Sequence, residues 1–130
     1  MARKVEDTMR FLVPLAAVAL SACVTVYPPD EPAAEAVAYA HFNETATVGP
    51  ARVTPLTLVE DSRCPTGVQC VWAGRVRITA RIDGAAREMT LGQPVTLDHG
   101  ALTLVEVRPV RVADVAPRPA DYVFGFRFAR

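Results

Sequence analysis

From residue 76 to residue 82 every second side chain is apolar. Val76, Ile78, Ala80 and Ile82 alternate with Arg75, Arg77, Thr79 and Arg81, and the same phase runs back through Gly74 to Trp72. A period of two puts the apolar set on one face of an extended chain and the arginines on the other, so the segment reads as a half-buried antiparallel strand with one wet face. Asp83-Gly84 follows, a two-residue hairpin signal, and predicts that residues 86–91 pair back on that strand. In this phase Trp72 points inward and is expected to belong to the core.

Turn signals recur along the rest of the chain after Phe42. A short strand at 45–48 ends at Gly49-Pro50. Residues 53–60 are β-rich, with Pro55 restricting them to an edge or a bulge. Residues 95–97 and 101–107 flank Asp98-His99-Gly100, a second hairpin candidate. In the last strand Tyr122, Phe124, Phe126 and Phe128 alternate with Val123, Gly125 and Arg127, after a proline-bearing loop at 114–119. About seven short strands at turn spacings of roughly 8 to 12 residues predict an all-β fold, a single antiparallel β-sandwich or small barrel. Only residues 33–41 have a composition compatible with a helix.

The N-terminal third reads differently. A 13-residue apolar run, FLVPLAAVALSAC, spans residues 11–23. It is too short to cross a bilayer, which takes roughly 20 apolar residues. Its length, small residues and preceding arginine suit a signal-peptide core. Leu20-Ser21-Ala22-Cys23 resembles the lipobox of bacterial lipoproteins, in which cleavage before the cysteine leaves it lipidated and N-terminal. The resemblance implies a signal peptide at residues 1–22, with Met9 as a cleaner translation start than Met1. It also implies a membrane anchor at Cys23. Val24 in place of Asp at the next position favours, by resemblance to enterobacterial sorting, the outer membrane facing the periplasm. Residues 23–41 then form a lipidated cysteine and an extended tether, stiffened by Pro28, Pro29 and Pro32. Residues 42–130 form the β domain.

With Cys23 assigned to lipid, Cys64 and Cys70 remain as one pair. In an oxidising compartment they are expected to form a disulfide. The spacing suits neither a zinc site nor a C-x-x-C redox motif, so no metal and no cofactor is expected.

Residues 60–74 read EDSRCPTGVQCVWAG. This resembles a pattern of small exported bacterial proteins, D-S-R-C-P followed by a short turn and C-x-W-A-G leading into a long strand. The likeness implies a fold unit and an export route rather than a reaction. Physically, Asp61 and Ser62 suit bonding to neighbouring backbone N–H groups, and Arg63 reaches a carboxylate such as Asp61 or Glu60. That makes the segment a rigid corner. Its functional counterpart is a recognition loop carrying Asp61, Arg63, Pro65, Thr66, Val68 and Gln69, ordered in advance by the staple so that binding costs less conformational entropy.

After residue 22 the chain carries 11 arginines, 12 acidic residues and no lysine. Near-neutral charge argues against a nucleic-acid partner. The same stretch has one serine, Ser62, and two histidines, His41 and His99, without a nucleophile-elbow pattern. No catalytic residues are assigned; the enzymatic alternative is a small hydrolase using Ser62 or paired acids. Arg75, Arg77 and Arg81 line one strand face that suits either an anionic glycan or a solvated surface with cross-strand partners such as Glu88 and Glu106. The expectation is a lipid-anchored, non-enzymatic envelope protein with a binding or structural role. The expected partners are the membrane through Cys23 and an envelope protein or glycan. An alternative is an inhibitor of a periplasmic or foreign hydrolase, acting through the stapled loop 64–70.

Overall fold

The computed structural model describes residues 36–130. The segments read above as a signal peptide, a lipidated Cys23 and most of a tether lie outside the described residues. Eight strands follow in order: β1 (Ala38–Ala40), β2 (Ala46–Val48), β3 (Ala51–Asp61), β4 (Val76–Ile82), β5 (Ala85–Thr90), β6 (Pro94–Leu97), β7 (Gly100–Arg108) and β8 (Val123–Ala129), with one 3₁₀ turn at Pro119–Asp121. They form two four-stranded sheets, β1-β8-β7-β6 and β2-β3-β4-β5, with every pairing antiparallel. The fold is a small all-β sandwich.

The hairpins sit where the turn chemistry places them. Asp83 and Gly84 both have positive φ, and Ile82 faces Ala85 across the turn. Leu97 faces Gly100 across Asp98-His99. Pro55 occupies β3 beside a register shift between Pro55 and Thr57, the bulge a proline demands within a paired strand.

Alternation then builds the core. Val76, Ile78, Ala80, Ile82 and Met89 face Leu102, Leu104, Phe124, Phe126 and Phe128 across the sandwich, all buried. Phe124 and Phe126 are fully enclosed, and each such ring contributes about 1.5–3 kcal/mol relative to exposure. The aromatic series of the last strand is therefore core, as its period indicates.

Two expectations about the chain's organisation are corrected. Residues 38–40 are a strand, neither tether nor helix: Ala38, Tyr39 and Ala40 pair with Phe126, Gly125 and Phe124. The domain thus begins before residue 42, and β1 is the strand beyond the seven anticipated. An Ala-rich triplet carries little β signal of its own; the open edge of β8 recruits it. Second, β4 begins at Val76, and Trp72 is 69% exposed instead of belonging to the core. The cause is Gly74. Its φ is +71°, and a Cβ there would lie 1.8 Å from the Ser62 carbonyl oxygen. The chain crosses itself at that point, and the period-two phase does not carry back through the crossing.

The register defines two poles. Gly49-Pro50, Asp83-Gly84 and Asp98-His99 turn at one. At the other lie residues 62–75, which join β3 to β4, and residues 109–122, which join β7 to β8. Because β1 runs antiparallel to β8, it heads toward this second pole. The chain therefore comes into β1 from the opposite direction.

A stapled tip as the candidate functional site

The pole formed by the two long loops is built upward from Asp61, the last residue of β3. Both of its carboxylate oxygens accept from Arg63, at 2.8 Å each, and Oδ2 also accepts from the Tyr122 hydroxyl at 2.8 Å. Arg63 further donates to the carbonyls of Val107 (2.9 Å) and Pro109 (3.1 Å). Arg111 donates to the Asp61 carbonyl at 2.9 Å. The Asp61 side chain is 3% exposed and that of Arg63 16%. One ion pair thus ties together the ends of β3, β7 and β8 and the base of both loops.

Burial by itself raises the Asp61 pKa. The hydrogen bonds from Arg63 and Tyr122, with the Arg63 charge, outweigh that and hold the carboxyl below the ordinary carboxylate range. The Tyr122 hydroxyl is pushed up to about 12, first by burial and then by its bond to the Asp61 carboxylate. The hydrogen bond to Asp61 raises the Arg63 pKa.

Above this clamp the chain passes through the Cys64–Cys70 disulfide, Cα atoms 5.9 Å apart. The loop it closes leans on its neighbour: the Thr66 N–H donates to the Arg111 carbonyl at 2.9 Å, and Thr66 forms a bridge with Val112. From Gly67 to Ala73 the backbone makes no main-chain hydrogen bond among the described residues. Val68 (47%), Val71 (90%) and Trp72 stand exposed there. Val110, Val112 and Val115 stand exposed on the adjoining loop.

The six residues proposed for recognition are therefore divided. Asp61 and Arg63 are turned inward as the clamp. Pro65 is partly covered. Thr66, Val68 and Gln69 face outward, with the Thr66 N–H holding the second loop. Sequence reasoning missed Val71 and the trio Val110, Val112 and Val115. The alternation of Val110 and Val112 in PVRVADV was the available signal for the second loop, but alone it reads as an ordinary strand.

Ser62 and His41 are both engaged in hydrogen bonds. The Ser62 hydroxyl lies 2.9 Å from Glu60 Oε1, to which it donates, and accepts from the Arg75 N–H at 3.0 Å. His41 Nδ1 lies 2.9 Å from the Tyr122 carbonyl oxygen, and His99 sits at the opposite pole near Phe128. Among the described residues no group of three or more His, Cys, Asp and Glu is placed to hold a metal ion, and no helix is long and apolar enough to cross a membrane.

On the outer face of the second sheet, Arg75 pairs with Glu60 (2.9 Å) and Arg77 with Glu88 (2.8 Å). Glu106, the other expected partner, lies on the opposite sheet and pairs with Arg108. A cleft of about 370 Å³ opens beside the tip, lined by Phe42, Leu56, Leu58, Pro117, Pro119 and Tyr122 among others.

Fold and site together define a small antiparallel β-sandwich with one disulfide-stapled, apolar-tipped pole. Comparison of the chain with protein-family models, curated proteins and solved structures finds no match in any of the three.

Proposed function

We propose that this chain is a lipid-anchored, non-enzymatic binding protein of the bacterial cell envelope, held through Cys23 in the outer membrane facing the periplasm. It engages an envelope protein through the stapled loop 64–70. The observation that carries the binding role is Val68, half-exposed on a loop pinned at both ends by the disulfide and supported from below by the Asp61–Arg63 clamp. A segment so ordered loses little conformational entropy on association. The direction of β1 supports the arrangement, since residues 38–40 run toward the tip and the described chain enters the sheet from the other side. Neutralisation of Arg75 and Arg77 by Glu60 and Glu88 weakens the case for an anionic glycan on the strand face.

Two experiments test this reading. Metabolic palmitate labelling is expected for the native chain and not for Cys23→Ser; equal labelling of both defeats the anchor. Crosslinking in intact envelopes is expected to yield a partner with the native loop and to lose it with Val68→Asp; unchanged partners defeat loop-mediated recognition.

A second reading, inhibition of a periplasmic or foreign hydrolase, is favoured by the free backbone of residues 67–73 on a rigid support, a form that suits insertion into a cleft. Dose-dependent inhibition of a hydrolase panel by the native protein, lost in Val68→Asp, separates it from simple docking.

A further inference from the structure

Eight large hydrophobic side chains are exposed among the described residues, and six of them stand at one pole: Val68, Val71, Trp72, Val110, Val112 and Val115. Scattered single exposed hydrophobics are ordinary, whereas a contiguous group marks a contact surface. These six belong to two loops far apart in sequence, brought together by the Thr66 N–H on the Arg111 carbonyl and by the Thr66–Val112 bridge. The hydrogen bond from Arg111 to the Asp61 carbonyl fixes the second loop to the clamp that supports the first.

We infer that the two loops form one composite docking surface, and that its occupant is a protein offering an uncharged apolar cleft with free backbone donors and acceptors. This rests on the binding role proposed above and adds the second loop and the chemistry of the partner. Two observations select a protein over a bilayer. Among the described residues, the backbone from Gly67 to Ala73 makes no main-chain hydrogen bonds. Sinking those groups into hydrocarbon would leave them unsatisfied at a cost of several kcal/mol each, whereas a protein cleft supplies partners for them. The charged groups around the tip are also paired, Glu60 with Arg75 and Arg77, Asp61 with Arg63, and Asp121 with Arg118. No cationic excess draws the pole to anionic lipid. The same pairing favours a partner surface without strong charge.

The test places a photo-crosslinking amino acid at Val71 or at Val112 in the full chain, in intact envelopes, with Thr96 on β6 as control. The expected result is an adduct with the same protein at both tip positions and none at Thr96. In addition, Val112→Asp is expected to reduce the Val71 adduct at least tenfold, and Val68→Asp the Val112 adduct, with thermal midpoints unchanged.

If Val112→Asp leaves the Val71 adduct intact, the single-loop reading survives and the composite surface is overturned. Absence of adducts at both positions overturns the two together. Adducts of twice the chain's own mass identify a second copy as the occupant and overturn the assignment of a different protein. Lipid adducts do the same in favour of a membrane.

Trp72 is the only tryptophan of the chain, so its emission reports the tip directly. With vesicles of phosphatidylcholine, alone or mixed with phosphatidylglycerol, no blue shift is expected; a blue shift overturns the proposal.

Discussion

The hydroxyl of Tyr122 donates to Oδ2 of Asp61 across 61 residues of sequence, at 2.8 Å, from beneath the Asp61–Arg63 ion pair. This contact joins the start of the last strand to the end of the third. It makes the motif DSR a brace for the tip, with its charged side chains directed into the fold.

Removing the hydroxyl should be costly. Tyr122→Phe keeps the ring that packs against Phe42 and Phe124 but takes a donor from a buried carboxylate, and a hydrogen bond to a charged group contributes about 1.5–3 kcal/mol. Asp61→Ala should cost more, about 3–5 kcal/mol, because it leaves the mostly buried Arg63 without its counter-charge. Urea unfolding of the two variants measures both, and Asp61→Ala no more destabilising than Tyr122→Phe would contradict the brace.

The brace also fixes a pH dependence at each extreme. Asp61 titrates lower folded than unfolded, so its stabilisation is fully present above about pH 4 and is lost as the pH falls through its folded value. Tyr122 titrates at about 12 folded against 10.0 as the reference. Its contribution is whole below pH 10 and is lost as the pH rises from 10 to 12. Thermal midpoints measured across pH should show Asp61→Asn flattening the acid limb and Tyr122→Phe flattening the alkaline one.

Cys64 and Cys70 close a seven-residue loop, for which chain entropy gives about 2.4 kcal/mol of stabilisation. The double variant Cys64→Ser/Cys70→Ser should lose that amount or somewhat less and still fold, because the clamp and the sheets do not depend on the bridge. Non-reducing mass mapping should find the two cysteines joined.

Gly74→Ala should be disruptive, since its Cβ would lie 1.8 Å from the Ser62 carbonyl oxygen. Left-handed backbone strain alone accounts for about 1–3 kcal/mol, and the overlap adds to it. Wild-type stability in this variant would mean that the chain crossing at residues 62 and 74 is wrong.

Trp72→Ala is expected to change stability by less than about 0.5 kcal/mol, as at an exposed site. Phe126→Ala, in the middle of the core, should cost about 3–5 kcal/mol. A large loss at Trp72 would restore the ring to the core. Binding should show the reverse order, with Trp72→Ala the more damaging.

Much of the architecture was legible in the chain because it is governed by local rules. The alternation at 76–82 and 122–128, the Asp83-Gly84 and Asp98-His99 turns, and the bulge at Pro55 each follow from a few adjacent residues. The pairing of Cys64 with Cys70 followed once Cys23 was assigned to lipid. What escaped was long-range. β1 carries almost no strand signal and exists because β8 leaves an edge beside it. A period extended through Gly74 places Trp72 in the core, but the chain crosses itself at that point and the phase is lost.

The candidate site shows the same division. From the amino-acid order alone came the all-β pattern, the expectation of a staple at 64–70, and the ability of Arg63 to reach a carboxylate. Only the tertiary structure decided that Asp61 and Arg63 face inward, that Tyr122 completes the brace, and that Val110, Val112 and Val115 join Val68, Val71 and Trp72 at one pole. The physical reason is range: turn geometry and side-chain period act over a handful of residues, whereas burial and coincidence of loops depend on which ends of which strands the two sheets bring together.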